Sequence, residues 1–417
     1  MVNSRRQFLH QSVAIFGSLL SQGIPRIGLA QTPGSRQRIS DIIREYSQQG
    51  NHRTGSDIDL LNAYWMRDRL AAMGVAASLE PFSVDKIEVE TARFIAPGFE
   101  LEGVPFFDCH SSGAAGITGV MAELANGLAA DIGVVVLPAT DSSPQHSLLD
   151  SARRTGNYKA ILVVSAQSYP PEGVAVRNAE DFLEPFGPPV LHIAHRRWAD
   201  IQTLIAMQQP VTLIASARRV QTTAFNVNAS VAGHDPGLPP VVVMTPRSGW
   251  WQCASERGGG IAAFLEIAYA LSLNKPRCTV LFTANSGHEL GHLGLNHFVQ
   301  NNPALANDAA VWIDLGANFA AKDSVIRLQF SDYELEELTE LILGSQRLVA
   351  GQKTPIGNRP SGAVQKVFDA GGHFVSLLGS NPLLHHPHDV WPEAVDIEKT
   401  TRWVEAFTGL VRELANS

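Results

Sequence analysis

The chain has 417 residues, of which 45% are hydrophobic and 17% are charged, and its formal net charge is −8. This length allows two or three domains with buried cores. The acidic balance and the lack of a block rich in Lys and Arg argue against nucleic acid or an anionic membrane surface as a partner. No segment reaches the roughly 18 uninterrupted apolar residues of a transmembrane helix, so we predict no membrane span.

The first thirty residues predict an export signal. A twin-arginine pattern, Ser4 to Leu9, precedes an apolar core from Val13 to Leu20 and a small-residue cleavage site at Gly28-Leu29-Ala30. These three parts stand in the order of a cleaved secretory signal. We therefore expect a signal peptide over residues 1–30 and a mature protein that is periplasmic or secreted by the twin-arginine route.

The next part of the chain, residues 31–94, predicts helices followed by a strand. Apolar residues recur at helical spacing from Arg36 to about Ser83, interrupted by a loop at Asn51 to Ser56. Ala76 to Ile87 alternates as a strand does. Residues 95–220 change to short apolar runs separated by Gly, Pro and Ser, which predict an inserted β-rich domain. Within it, Ser151 to Tyr158 is the predicted helix.

Residues 221–417 return to alternating strands and helices. Strands are predicted at Pro240 to Met244, Thr279 to Ala284 and Ala309 to Leu315, and helices at Ile261 to Leu273, Leu290 to Gln300, Asp332 to Leu348 and Ile397 to Ala415. This alternation predicts an α/β fold with a mixed, mostly parallel sheet flanked by helices. Together with 31–94 it would form one domain around the insertion.

Candidate chemistry lies at the ends of the predicted strands. Glu256 precedes a glycine-rich helix start, His288 and Glu289 follow the Thr279 strand, Asp314 ends the Ala309 strand, and His385 lies in a loop before the last helix. The carboxyl ends of parallel strands meet in one crevice of an open α/β sheet. Carboxylates and imidazoles that meet there favour a divalent metal, most naturally zinc.

The segment His288-Glu289-Leu290-Gly291-His292 also fits the zincin pattern His-Glu-x-x-His. That pattern requires one continuous helix, whereas a strand precedes this segment and Gly287, Gly291 and Gly294 interrupt it. The zincin interpretation is therefore the weaker alternative. The cysteines, Cys109, Cys253 and Cys278, are too widely spaced to indicate a cysteine zinc cluster.

The chain resembles the co-catalytic zinc aminopeptidase and glutamate-carboxypeptidase-like family. The resemblance lies in Thr222 to Val227, Gly260 to Phe298, Trp312-Ile313-Asp314 and the His385-x-Pro387-x-Asp389 segment. Residues 95–220 resemble the protease-associated domain that many members carry as an insertion. The resemblance implies a zinc-peptidase-like fold and a peptide or acylated amino-acid substrate.

The resemblance implies an incomplete metal site. Glu256 matches the bridging carboxylate, Glu289 a metal ligand, Asp314 a third ligand and His385 the last. His288 stands where the family has a glutamate base, and the His-x-Asp motif of the first ligand is missing around Thr245. Arg247, Arg257 and Trp250 are candidates for substrate binding, the two arginines as partners of a carboxylate.

Two functions follow. The leading hypothesis is an exported metallopeptidase-like hydrolase that cleaves peptide or amide bonds, with one zinc rather than two and with His288 as the base. The alternative is an inactive relative, without metal, that binds a peptide or another ligand in the same cleft. We expect the side chains of Glu256, Glu289 and His385 to converge on one point if the metal site exists. An arginine at that point would favour the inactive protein.

Overall fold

A computed structural model describes residues 34–127, 129–138 and 143–417. The predicted signal peptide, residues 1–30, lies outside the described residues. The α-helices of the described residues are α1 (Ser35–Gln48), α2 (Asp57–Ala72), α3 (Pro144–Thr155), α4 (Trp198–Ala206), α5 (Gly258–Leu273), α6 (Leu293–Asn301), α7 (Leu305–Asp308), α8 (Tyr333–Ser345), α9 (Gln365–Asp369) and α10 (Ile397–Leu414). No helix of the described part of the chain is long and apolar enough to cross a bilayer.

The strands are β1 (Ala76–Ala96), β2 (Phe99–Pro105), β3 (Ile117–Gly119), β4 (Met121–Glu123), β5 (Ile132–Leu137), β6 (Ala160–Ser165), β7 (Val190–Ile193), β8 (Val211–Val231), β9 (Val241–Pro246), β10 (Val280–Asn285), β11 (Val311–Leu315), β12 (Ile326–Phe330), β13 (Gln352–Lys353) and β14 (Phe374–Gly379). Their order is β13-β12-β14-β11-β9-β10-β8-β1-β2-β7-β6-β5-β4, and β3 pairs with β8. The predicted α/β fold with a mixed, mostly parallel sheet is confirmed.

The centre of the sheet is parallel. β9 pairs with β10 on one side and with β11 on the other, and β11 pairs with β14. Because these four strands point the same way, their carboxyl ends open on one edge of the sheet, where an α/β protein binds ligands. The predicted site residues after β9, β10 and β11 therefore share this edge.

Two long antiparallel strands connect the central sheet to the inserted region. β1 and β8 each have 21 residues and pair along nearly their whole length. β1 is longer than the predicted strand at Ala76 to Ile87, because its alternating pattern continues into the inserted region. Residues 95–220 contribute parallel strands β4 to β7 with α3 and α4. Their assignment as a separate protease-associated-like domain stays a prediction.

Helix α5 packs close to the sheet because it begins with three glycines. A Cβ atom on Gly260 would lie 2.6 Å from Oγ1 of Thr245 and 2.7 Å from the carbonyl oxygen of Leu315. Only a residue without a side chain lets the helix start approach the ends of β9 and β11 so closely. This approach brings Glu256 and Arg257, just before the helix, next to the strand ends.

Two predicted helices differ in their bounds. The predicted helix at Leu290 to Gln300 begins only at Leu293, because Gly291 (φ 75°) and His292 (φ 61°) adopt left-handed backbone conformations. The predicted helix at Ser151 to Tyr158 instead spans Pro144–Thr155. The next residue, Gly156, also has a left-handed backbone. Glycine commonly ends a helix in this conformation.

Candidate functional site

Glu289 lies in the 3-10 turn that follows β10, and neutral hydrogen-bond donors occupy both of its carboxylate oxygens. Its Oε1 accepts bonds from the backbone N–H of Thr54 (2.8 Å) and from Thr54 Oγ1 (2.7 Å), and its Oε2 accepts one from Ser248 Oγ (2.6 Å). The side chain is 1% exposed. Burial raises the pKa of Glu289, while the bonds from Ser248 and Thr54 act in the opposite direction. The carboxylate is therefore held by protein groups on both oxygens.

Ser248 connects this carboxylate to the turn that carries His288. Its hydroxyl donates to Glu289 and accepts from the backbone N–H groups of Gly287 (2.8 Å) and His288 (3.2 Å). Thr54 Oγ1 accepts a second bond from Gly287 N–H at 2.9 Å. Two hydroxyl groups thus fix both the Glu289 carboxylate and the backbone that follows β10.

Glu256 is also 1% exposed, but its surroundings are charged. Arg257 Nη2 lies 2.8 Å from its Oε1, and His385 Nε2 lies 3.4 Å from the same oxygen. Burial raises the pKa of Glu256, but the positive charge of Arg257 and the contact with His385 outweigh it and bring the pKa to about 2. Glu256 is therefore ionised at neutral pH and is balanced by the guanidinium of Arg257.

The loop that carries Glu256 is fixed by Asp389. Its two carboxylate oxygens accept bonds from the backbone N–H groups of Ser255 (2.8 Å) and Glu256 (2.9 Å). Burial raises the pKa of Asp389 to about 6. Asp389 thus ties the His385 loop to the start of α5 and determines where Glu256 stands.

Asp314 and His288 line a small cavity at the carboxyl ends of the parallel strands. Pro246, Ser286 and His292 also contribute to its walls, and its volume of about 10 Å³ corresponds to one water molecule. Burial raises the pKa of Asp314 to about 7, although Ser376 Oγ donates to its Oδ2 at 2.8 Å. At pH 7 this acid is therefore partly protonated.

His288 is poorly suited to act as a base. Burial lowers its pKa well below the usual value, and the charge of Arg257 and the neighbouring His292 lower it further. Its ring lies edge to face against His292, with the ring centroids 4.4 Å apart. A general base works best when its pKa is near the operating pH, so a strongly lowered pKa weakens His288 in that role.

The donor set does not fit a zinc ion as it stands. Within residues 34–127, 129–138 and 143–417, no group of three or more His, Cys, Asp and Glu side chains is arranged to hold a metal. Glu289 uses both oxygens on Thr54 and Ser248, and the guanidinium of Arg257 lies against Glu256. Thr245, at the position of the missing first ligand, donates its hydroxyl to Leu315 O at 2.8 Å.

The zincin alternative is wrong. His288–Leu290 forms a short 3-10 turn, and the α-helix begins after His292. The two imidazoles of a zincin must lie one turn apart on a continuous helix. Here the left-handed backbone of Gly291 and His292 prevents one continuous helix from including both His288 and His292.

Arg247 and Trp250, both predicted to bind substrate, are buried in the protein. Arg247 is 0% exposed, lies 2.9 Å from Asp59 Oδ1 and donates to Asp59 O and Asn62 Oδ1. Trp250 is 1% exposed and donates Nε1–H to Asn178 Oδ1 at 3.1 Å. Both side chains already have protein partners, so this position favours a structural role for them. Arg257 is the predicted arginine that reaches the site.

Three residues at the site were missed from the sequence. Thr54 lies in a segment that the sequence predicts only as a loop, Ser248 follows β9, and the sequence indicates no role for Asp389. Each acts through hydrogen bonds to a carboxylate or to backbone N–H groups. Such bonds carry no sequence pattern.

The fold is that of solved zinc aminopeptidases. The chain superposes on a zinc aminopeptidase from Bacillus subtilis with a TM-score of 0.74 and 15% identity, over 92% of this chain and 95% of that one. A peptidase M28 precursor from Shewanella amazonensis SB2B gives a TM-score of 0.73 and 17% identity, over 92% and 96%. An aminopeptidase from Aneurinibacillus sp. strain AM-1 gives 0.65 and 13%, over 91% and 94%. No family model and no curated protein matches the sequence.

Proposed function

We propose that this protein binds a peptide or a peptide-like ligand in the crevice of a zinc-aminopeptidase fold and does not hydrolyse it through zinc. The observation that carries the proposal is the ion pair between Arg257 Nη2 and Glu256 Oε1, at 2.8 Å. A zinc ion and a guanidinium cannot both lie against this buried oxygen, since the two cations would repel each other.

The state of Glu289 supports the same proposal. Three hydrogen bonds from Thr54 and Ser248 occupy its oxygens, so a zinc ion would have to displace them. A buried carboxylate that loses its donors bears the cost of their desolvation, about 1–3 kcal/mol for each unsatisfied group. Hydrolysis also requires a general base, and the lowered pKa of His288 makes it a weak one.

Two partly exposed side chains beside the His385 loop suit a peptide. Trp251 is half-buried and donates Nε1–H to His385 O at 2.8 Å, and the guanidinium of Arg53 stacks over its ring at 4.9 Å. Aromatic and arginine side chains at a partly exposed site are common contacts in binding interfaces. The solved zinc aminopeptidases of this fold suggest a peptide as the ligand class.

Metal analysis and activity assays test the proposal together. The purified full chain should contain no stoichiometric zinc and should not hydrolyse aminoacyl p-nitroanilides or acylated peptides above background when zinc is added. Short peptides should still raise its thermal unfolding temperature. Trp251→Ala should abolish this shift, whereas the control Trp65→Ala, a partly buried tryptophan on α2, should retain it. Zinc-dependent turnover by the unaltered chain would refute the proposal.

A one-zinc hydrolase is the second candidate, and one observation favours it. Neither oxygen of Glu256 and only one oxygen of Asp314 accepts a well-aligned hydrogen bond from a described residue. Such carboxylate oxygens suit a cation, and His385 Nε2 is already 3.4 Å from Glu256. This function requires Arg257 to move away. We also propose that the protein is exported through the twin-arginine pattern in residues 1–30, as the sequence predicts.

A further inference from the structure

Arg53 carries a positive charge for which the described part of the chain supplies no anionic partner. Its Nε–H donates to the carbonyl oxygen of Trp250 at 3.2 Å, whereas Nη1 and Nη2 donate to no described residue and stay open to solvent. Glu289 is the carboxylate whose charge acts on Arg53, but Thr54 and Ser248 hold both of its oxygens. An arginine side chain stays protonated in proteins, so the charge of this guanidinium is left without an ion pair.

Two other arginines that lie over aromatic rings do have such a partner. Nη2 of Arg38 lies 2.6 Å from Glu266 Oε2, and Nη2 of Arg67 lies 2.6 Å from Asp68 Oδ1. Arg53 has the same aromatic contact without the carboxylate. A partly buried charge without a partner is unfavourable, so this arrangement is typical of a group whose partner comes from outside the chain.

The backbone on both sides of Arg53 is fixed by hydrogen bonds. The N–H of His52 donates to Trp251 O at 3.0 Å, and the N–H of Thr54 donates to Glu289 Oε1 at 2.8 Å. Together with the bond from Arg53 Nε to the Trp250 carbonyl, these contacts determine the direction of the side chain. A side chain that is already ordered loses little conformational entropy when it binds a ligand.

Two aromatic rings, one from each side of the chain's main division, lie against the guanidinium. Its Cζ is 4.9 Å from the centroid of Trp251, which follows β9, and 5.8 Å from that of Phe107, which follows β2 in the inserted region. Burial lowers the pKa of Arg53, because water stabilises its charge less well here. With Nε in use, Nη1 and Nη2 form a planar fork of the kind that binds both oxygens of a carboxylate.

We propose that Arg53 binds a carboxylate group of the peptide ligand through Nη1 and Nη2, beside the ring of Trp251. The carboxylate is that of the peptide C-terminus or of an acidic side chain, since both present the same pair of oxygens. This inference rests on the proposed function, which places a peptide next to Trp251. It adds the class of peptide, one that carries a carboxylate, and the residue that selects it.

The first test compares three probes on the full chain by titration calorimetry. They are the tripeptide Ala-Ala-Phe with a free C-terminus, the same tripeptide as its C-terminal amide, and Ala-Glu-Phe amide. If Arg53 holds the C-terminus, the free acid should bind at least about tenfold more tightly than Ala-Ala-Phe amide. If Arg53 holds a side chain, Ala-Glu-Phe amide should show this gain instead. Equal binding of all three probes would overturn the inference.

Salt dependence checks that the gain comes from charge. Raising NaCl from about 0.02 M to about 0.5 M should reduce the preference for the carboxylate probe, because salt screens a partly exposed charge pair. This measurement and the comparison of probes use the unaltered chain, so they remain decisive if a variant does not fold. A preference that salt leaves unchanged would contradict an ion pair with Arg53.

Variants assign the preference to this residue. Arg53→Gln should bind the carboxylate probe no more tightly than Ala-Ala-Phe amide. Arg53→Lys keeps the charge but lacks the planar fork, so it should retain only part of the preference. Arg67→Gln is the matched control, because it changes an arginine over the ring of Tyr64 that already pairs with Asp68, and it should retain the full preference. A full preference in Arg53→Gln, or in Arg53→Lys if Arg53→Gln does not fold, would overturn the inference.

Failure of this inference and failure of the proposed function give different results. If the three probes bind equally well and zinc-dependent hydrolysis is absent, the inference fails while the proposed function stands. If no probe binds the unaltered chain, or if the chain hydrolyses the probes in the presence of zinc, the proposed function itself fails.

Discussion

Glu289 and Glu256 are equally buried carboxylates, each 1% exposed, yet the protein stabilises them in different ways. Three neutral donors from Thr54 and Ser248 hold Glu289, whereas the guanidinium of Arg257 and the imidazole of His385 lie against Glu256. The consequence appears in their pKa values. Burial raises that of Glu289, but Arg257 and His385 overcome burial at Glu256 and bring it to about 2.

The two carboxylates show two ways in which a protein stabilises a buried negative charge. Neutral donors satisfy the hydrogen-bonding capacity of a carboxylate and leave part of its charge uncompensated. A guanidinium compensates the charge but here leaves several polar atoms without well-aligned bonds. We therefore expect the contribution of Glu256 to the free energy of unfolding to depend on the charge of its partner. The contribution of Glu289 should depend on individual hydroxyl groups.

The largest expected effect on the free energy of unfolding comes from a substitution of Glu256. Glu256→Gln removes the negative charge next to Arg257 and leaves a buried guanidinium unpaired. Loss of one partner of a buried ion pair costs about 3–5 kcal/mol. Urea unfolding at pH 7 should show this decrease in the free energy of unfolding. As a control, Glu100→Gln removes an exposed ion pair with Arg93 and should cost about 0–1 kcal/mol. Similar losses in the two variants would contradict the comparison.

A smaller effect on the free energy of unfolding is expected when Glu289 loses one of its neutral donors. Thr54→Val keeps the shape of the side chain but removes the hydroxyl that bonds Glu289 and Gly287 N–H. Hydrogen bonds to a charged group contribute about 1.5–3 kcal/mol, so the free energy of unfolding should fall by about this amount. Thr54→Ser retains the hydroxyl and should restore most of the stability. If Thr54→Ser is as unstable as Thr54→Val, the methyl group rather than the hydrogen bond is responsible.

The fold could be predicted from the sequence because its signals are local. Alternating and helical patterns of apolar residues identified β9, β10, β11 and α5 within a few residues of their observed bounds. The strand-end rule then predicted the edge of the sheet where Glu256, Glu289 and Asp314 lie. The start of α6 was predicted too early, since the left-handed backbone of His292 has no signature in the pattern of apolar residues.

The interactions within the site could not be predicted in the same way. Either Arg247 or Arg257 could pair with Glu256, and the choice depends on which backbone carbonyls direct each guanidinium. The structure directs Arg247 to Asp59 on α2 and Arg257 to Glu256. Two of the three donors to Glu289 belong to Thr54, 235 residues away, so no local pattern could indicate them.

The smallest expected effect concerns His52, in the loop that carries Thr54. Burial lowers its pKa to about 3, and the ring stacks on Tyr46 with 3.8 Å between centroids. Folded His52 therefore stays neutral at pH values where the unfolded chain takes up a proton, so it costs stability as the pH falls below about 6.5. This group should account for a loss of about 1 kcal/mol between pH 7 and pH 5.5. Urea unfolding of His52→Gln, whose amide can still donate to Tyr46 O, should show a pH dependence smaller by that amount. His110→Gln, at an exposed position, should leave the pH dependence unchanged. An unchanged pH dependence in His52→Gln would mean that His52 is protonated in the folded protein, against the direction that burial imposes.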